Sequence, residues 1–67
     1  MSERLVVLMT AGSQVEAERI AGSLVKAMLA ACVNIIPGMT SVYRWEDEIQ
    51  RDEEWLLLAK TRRDVLE

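Results

Sequence analysis

Two unbroken apolar runs, one near each end of the chain, constrain the fold more than any other feature. The first covers residues 5–9 and the second covers residues 55–59. Because side chains in a strand alternate between its two sides, a run that is apolar at every position is typical of a strand covered on both faces. The two runs therefore predict two central strands of one sheet.

An amphipathic helix is predicted between the two runs. Ser13 and Glu16 have the spacing of a capping box, in which the hydroxyl and the carboxylate satisfy backbone N–H groups of the first turn. A helix of about 17 residues is roughly 25 Å long, enough to return along a sheet and connect two strands. Apolar residues recur at the helical spacing of one buried stripe, namely Ala17, Ile20, Ala21, Leu24, Val25 and Met28.

Two further strands, joined by a tight turn, are predicted after the helix. The first of them spans residues 32–45 and contains Pro37 and Gly38. Because proline cannot donate a hydrogen bond to a neighbouring strand, this strand is expected at the sheet edge or with a bulge at that point. The acidic stretch 46–48 is expected to form the turn, and the return strand is expected to cover residues 49–60.

The order strand, helix, strand, strand predicts an α+β fold. A right-handed crossover is expected to place the first and third strands side by side and parallel in the centre of the sheet, with the second strand at the edge. This arrangement is the βαββ portion of a ferredoxin-like βαββαβ domain. Thr61 and Asp64 have the spacing of another helix start, close to the end of the chain. Residues 1–67 are therefore expected to form a single domain whose C-terminal part is missing.

The composition argues against several classes of protein. The single cysteine, Cys32, cannot form an internal disulfide, which is typical of a reducing compartment. No apolar stretch reaches the roughly 20 residues that span a bilayer, and the run near the N-terminus is too short for a signal peptide. The net charge is −3, with Lys and Arg scattered among acidic residues, unlike a nucleic-acid-binding surface. We expect a cytoplasmic protein without a membrane or nucleic-acid partner.

The hairpin formed by the last two strands is expected to overhang its own domain. A strand over residues 49–60 would extend about 40 Å, roughly twice an ordinary strand. A chain of this size also has a marginal core and usually needs a partner. The candidate oligomer-interface residues are Tyr43, Arg44, Trp45 and Trp55, since aromatic and arginine side chains dominate protein interfaces. The alternative is that Tyr43 and Trp45 fold back onto their own domain.

Four segments of the chain resemble the CutA divalent-cation-tolerance family: residues 6–11 (VVLMTA), 29–38 (LAACVNIIPG), 41–46 (SVYRWE) and 56–62 (LLLAKTR). Together they correspond to roughly the first two-thirds of a member of typical single-domain size. The resemblance implies a ferredoxin-like subunit of a homotrimer, in which long hairpins cross subunit boundaries. It also implies a metal-binding or homeostasis role in tolerance of divalent ions, copper above all.

A second function stays open. The trimeric architecture that the resemblance implies is similar to that of nitrogen-regulatory signal-transducing proteins, and fold similarity does not choose between functions. The alternative is a trimeric scaffold or a small-molecule sensing and signalling protein without a specific metal site.

Met9 and Cys32 are the candidate metal ligands. By the resemblance, Met9 stands where some family members have a cysteine proposed to bind copper, and its thioether is a soft ligand suited to Cu(I). The competing interpretation is that Met9 fills the core and that Cys32 is structural, since free cysteine is among the most buried residue types. Copper or another divalent cation is the implied ligand, and no cofactor is expected to be required for folding.

The sequence does not indicate an enzyme. It has no histidine for a Ser-His-Asp or Cys-His arrangement, and no glycine-rich phosphate-binding loop follows the first strand. The acidic residues of the hairpin lack the spacing of a Ca²⁺ loop, and we interpret them as a solvated surface that discourages edge-to-edge aggregation.

Overall fold

The computed structural model describes residues 3–66, which form a three-stranded sheet with helices. In chain order the elements are β1 (Arg4–Ala11), α1 (Gln14–Lys26), β2 (Cys32–Trp45), β3 (Glu48–Arg62) and α2 (Arg63–Leu66). The strands lie in the order β1-β3-β2. The predicted α+β class and the edge position of β2 are confirmed. Neither helix within residues 3–66 has the length and apolar character needed to cross a bilayer.

The predicted parallel pairing of β1 with β3 is wrong. β3 is antiparallel to β1, with Arg4 opposite Arg62 and Ala11 opposite Trp55, and it is antiparallel to β2 as well. The crossover through α1 makes β1 and β2 parallel to each other, and the hairpin then inserts β3 into the gap between them. Among the described strands only β3 is central, so β1 has an unpaired edge.

Helix α1 begins where the capping pattern predicts. The Ser13 hydroxyl accepts a hydrogen bond from the backbone N–H of Glu16 at 3.1 Å. The helix has 13 residues and ends at Lys26, earlier than expected. Met28 follows with a φ of 61°, which is the left-handed region where glycine is the usual residue.

The end of α1 is a Schellman motif that the sequence does not signal. The Met28 N–H donates to the Val25 carbonyl at 3.1 Å, and the Leu29 N–H donates to the Leu24 carbonyl at 2.9 Å. The helix ends here, and Val25 and Met28 are exposed instead of completing the buried stripe. The left-handed position of the motif is occupied by Met28, whereas a glycine there would have indicated the helix end in the sequence.

The core lies on the α1 side of the sheet. Ala11, Ala17 and Leu57 are buried together. Half-buried apolar side chains pack around them, namely Met9, Ile20, Ala21, Val33, Ile35 and Trp55. The other side of β1 is uncovered, with Val6 59% and Leu8 63% exposed. The expectation that β1 is covered on both faces is therefore not met within this chain.

The hairpin of β2 and β3 extends beyond β1 and α1. β1 pairs with β3 only as far as Trp55, so residues 48–54 of β3 pair with β2 alone. We call residues 39–54 the arm. It accounts for the elongated shape of the molecule, 46 × 22 × 16 Å, and it confirms the predicted overhang. The turn occupies Glu46 and Asp47, which both have positive φ as in a type I′ hairpin turn.

The left-handed conformation of Met28 generates a stability prediction. Replacing Met28 with Gly should raise the free energy of unfolding by about 0.5–1 kcal/mol, because glycine adopts positive φ without strain and the side chain removed is 83% exposed. Urea denaturation followed by circular dichroism measures it. Met28→Ala is the matched control, since it removes the same side chain but keeps the strain. Equal unfolding free energies for the two variants would contradict the assignment.

Candidate functional site

The side of the sheet that faces away from α1 is apolar and uncovered. We call it the open face. Its apolar side chains on the three strands are Val6, Leu8, Ile36, Leu56 and Leu58, which share one side because Leu8 lies opposite Leu58 and Ile36 lies opposite Leu56. Val6, Leu8 and Ile36 are exposed, and the two leucines of β3 are half-buried. Contiguous exposed apolar surface of this kind marks an interaction site.

A bulge in β2 brings aromatic rings onto the same face. Ile36 lies opposite Leu56 and Met39 opposite Glu54, so Pro37 and Gly38 together oppose one residue of β3. Gly38 has the positive φ of 81° that such a bulge favours. The interruption expected at Pro37 and Gly38 is confirmed. Because a shift of one residue reverses which side every later side chain occupies, the bulge decides the position of the arm's side chains.

Tyr43 and Trp45 consequently lie on the open face of the arm. Tyr43 is opposite Gln50 and Trp45 is opposite Glu48, both on the side of β3 that carries Leu56. Their exposed fractions are 42% and 63%. Neither ring folds back into the core of its own chain, which was the alternative that the sequence left open.

Two hydroxyl groups hold carboxylates on the open face of the arm. The Tyr43 hydroxyl donates to the Asp52 carboxylate at 2.5 Å, and the Ser41 hydroxyl donates to the Glu54 carboxylate. The hydrogen bond to Asp52 is the main cause that raises the pKa of Tyr43 above its ordinary value, followed by burial and by the negative charges of Asp52 and Glu54. Both carboxylates are thereby fixed in orientation.

The other two candidate interface residues lie elsewhere. Arg44 is on the opposite side of the arm, opposite Ile49, where it is exposed. Trp55 is on the α1 side, half-buried against the core and opposite Ala11. The four residues therefore do not form one surface, and only Tyr43 and Trp45 join the open face. The residues sequence reasoning missed are Val6, Leu8 and Ile36, because their exposure depends on strand order.

The candidate metal ligands are on opposite sides of the sheet. Met9 is opposite Leu57 and packs against the core on the α1 side. Cys32 is half-buried on the open-face side, opposite Lys60. Strand β3 separates the two, so the structure does not bring them together. In the part of the chain that is described, no three His, Cys, Asp or Glu side chains cluster as a metal site.

An open groove of about 870 Å³ lies at the end of the sheet where α1 finishes. Leu29, Cys32 and Val65 are among the residues of its wall. Thr61 also lines it and is buried, and its hydroxyl donates to the Leu29 carbonyl at 2.6 Å. The sequence suggested Thr61 as a helix cap, but it lies in β3 and ties the chain after α1 to the sheet.

The contact between Tyr43 and Asp52 predicts a titration effect. Asp52→Asn should lower the pKa of Tyr43, because it removes the charged acceptor that favours the neutral phenol. The chain has one tyrosine, so the ultraviolet absorbance of tyrosinate reports it directly. Since the pKa is raised in the folded state, the associated stability is present below pH about 10 and is lost as the pH rises through the folded-state pKa.

The control for that titration is Asp47→Asn, which removes an acid in the turn that does not act on Tyr43. It should leave the titration curve unchanged. An Asp52→Asn variant that titrates like the parent chain would show that the hydrogen bond is not formed in solution.

Comparison with known proteins identifies the family. The family described as CutA1 divalent ion tolerance protein matches residues 5–67. The divalent-cation tolerance protein CutA of Thermus thermophilus is 57% identical over 56 residues, covering 84% of this chain and 54% of that protein. The chloroplastic protein CutA of Arabidopsis thaliana is 48% identical over 63 residues, covering 94% of this chain and 35% of that protein.

A solved structure supports the same assignment. The CutA1 divalent ion tolerance protein of Ehrlichia chaffeensis superposes with a TM-score of 0.94 at 36% identity, covering 98% of this chain and 62% of that one. The chain thus spans about half or less of the length of the two curated relatives. By sequence and by fold, the chain belongs to the CutA1 divalent ion tolerance family.

Proposed function

We propose that this chain serves in tolerance of divalent metal ions, with copper as the favoured ion, as one subunit of a cytoplasmic homotrimer. The family assignment supports tolerance of divalent ions in general. The proposed role is binding and homeostasis without covalent catalysis, and it involves neither nucleic acid nor a membrane. Trimer formation is the part of the proposal for which the chain itself offers most support.

The open face is the observation that carries the proposed assembly. Val6 and Leu8 are more than half exposed on the base of the sheet, and Trp45 is 63% exposed on the arm. Covering what remains exposed of Val6 or Leu8 is worth about 1–2 kcal/mol each, which is appreciable against the stability of a small domain. A second copy of the chain packed on this face would bury the apolar side chains that lie on the side of the sheet opposite α1.

Both sides of the arm support the same assembly. Val42 and Ile49 are 58% and 62% exposed on the side opposite Tyr43 and Trp45. A two-stranded ribbon is at best marginally stable alone in water, and this one exposes apolar side chains on both sides. An arm placed between neighbouring subunits would have both sides covered.

The assembly is tested by removing the two rings. Tyr43→Ala combined with Trp45→Ala should raise the dissociation constant of the oligomer by about tenfold or more, because truncating central aromatic anchors has effects of that size. Light scattering across a dilution series measures the mass. Val15→Ala is the control, since Val15 is 76% exposed on α1, away from the open face. A double variant with the parent's mass at every dilution contradicts the interface.

For copper binding, Cys32 is the best candidate ligand in this chain. Its thiol lies half-buried on the open-face side at the groove, where a partner subunit would also approach. Met9 is packed against the core, so using its thioether would require the core to open.

A copper titration of the full chain separates these candidates. Cys32→Ala should weaken Cu(I) binding at least tenfold, because a thiolate is the softest ligand available. Met9→Leu removes the thioether at nearly constant volume and should change binding less than twofold. Met28→Leu is the control for an exposed thioether. Retained affinity in Cys32→Ala would exclude that ligand.

The alternative function is a trimeric scaffold or small-molecule sensor without a specific metal site. The groove of about 870 Å³ favours it, because ligand pockets are commonly concave, mostly apolar and marked by a few polar groups such as Thr61. A parent chain that forms a trimer but has no saturable copper site would favour this alternative over metal binding.

A further inference from the structure

Charge is segregated along the open face. At the arm, this side of β3 carries the acids Glu48, Asp52 and Glu54, which we call the acidic arm patch. At the other end it carries Lys60 and Arg62, and Arg4 of β1 lies directly opposite Arg62. We call Arg4, Lys60 and Arg62 the basic base patch.

The segregation is specific to this side of the sheet. Asp52 and Glu54 are followed on the open face by Leu56 and Leu58, and only then by Lys60, so an apolar section separates the two patches. On the other side of the arm the signs are mixed, since Arg44 and Arg51 accompany Glu53. The open face thus reads acidic, apolar and basic from the tip of the arm to the base.

The two patches cannot neutralise each other within one chain. Glu54 and Lys60 are six residues apart on an extended strand, which is about 20 Å. That distance exceeds the Debye length of about 8 Å at physiological ionic strength, so their attraction is screened. Neither patch is therefore compensated by the other patch of the same chain.

Each patch is also unfavourable by itself. Arg4 and Arg62 are directly opposite each other, and like charges in that position destabilise a sheet. Arg62 lies 3.5 Å from Asp64, but that pair is exposed and therefore weak. The hydrogen bonds from Tyr43 and Ser41 orient Asp52 and Glu54 but supply no positive charge. Within residues 3–66, no ion pair joins the acidic arm patch to a basic side chain.

We propose that the acidic arm patch of one copy lies against the basic base patch of the next copy, with the apolar sections of the open face packed between them. This inference rests on the proposed homotrimer and specifies which parts of two subunits meet. In a homotrimer each copy would offer its arm to one neighbour and its base to the other, which makes the contact heterologous. The charges select the orientation, because the reverse arrangement would bring like charges together.

Charge reversal tests the inference in the full chain. Lys60→Glu with Arg62→Glu reverses the base, and Asp52→Lys with Glu54→Lys reverses the arm. Each variant alone should raise the dissociation constant of the trimer at least tenfold, since both create like-charge contacts. Combining all four substitutions in one chain should recover most of the parent's affinity, because the reversed arm and the reversed base again carry opposite charges, while Arg4 and Glu48 keep theirs. A role in folding alone would not produce that recovery.

The matched control is Arg19→Glu with Lys26→Glu, which changes the net charge as much as the base variant but on exposed positions of α1. It should leave the mass unchanged. Circular dichroism verifies that each variant is folded, and light scattering at low salt measures the mass. The base variant should recover partly at about 1 M salt, where the Debye length is about 3 Å.

The outcomes separate this inference from the proposed assembly. A parent chain that is monomeric at all concentrations overturns both. A trimeric parent whose single-patch variants keep their mass overturns the inference and leaves the trimer standing. A folded four-substitution variant that stays dissociated, while the single-patch variants also dissociate, overturns the pairing of arm with base.

Discussion

The packing of α1 against Ala11 and Leu57 fixes which side of the sheet is protected from water. A single helix covers one side of three strands, and α1 is short enough that it leaves the arm bare as well. The side chains on the open face can be covered only by another part of the protein or by another molecule. In this chain Val6 and Leu8 remain more than half exposed. The same packing that makes the core thus creates the surface to which we assign the function.

The sequence predicted the elements well because their signals are local. The capping pattern at Ser13, the proline at the bulge and the acidic turn each depend on neighbours in the chain. The orientation of β3 was predicted wrongly, although it follows from the connections: the crossover makes β2 parallel to β1, and the hairpin makes β3 antiparallel to β2 and therefore to β1. The end of α1 was missed because Met28 adopts a conformation that glycine usually signals.

The candidate site was predictable only in part, because which side chains share a face depends on how the strands pair. Sequence reasoning identified Tyr43 and Trp45 as projecting aromatics, and the structure places both on the open face. It also grouped Trp55 with them, although Trp55 lies on the same side of β3 as Leu57 and faces the core. Which side chains share a face follows from register, and register is a property of strand pairs. The separation of acidic from basic residues becomes visible only when that register is known.

The bulge at Pro37 and Gly38 determines which side of the arm each later side chain of β2 occupies. Every side chain from Met39 to Trp45 owes its side of the ribbon to one additional residue. A single insertion or deletion there would exchange the two sides of this part of β2. Val42 would then lie on the open face, and Tyr43 on the side of α1. Substitutions in the arm can therefore accumulate one at a time, whereas a change of length at this point would alter its whole pattern.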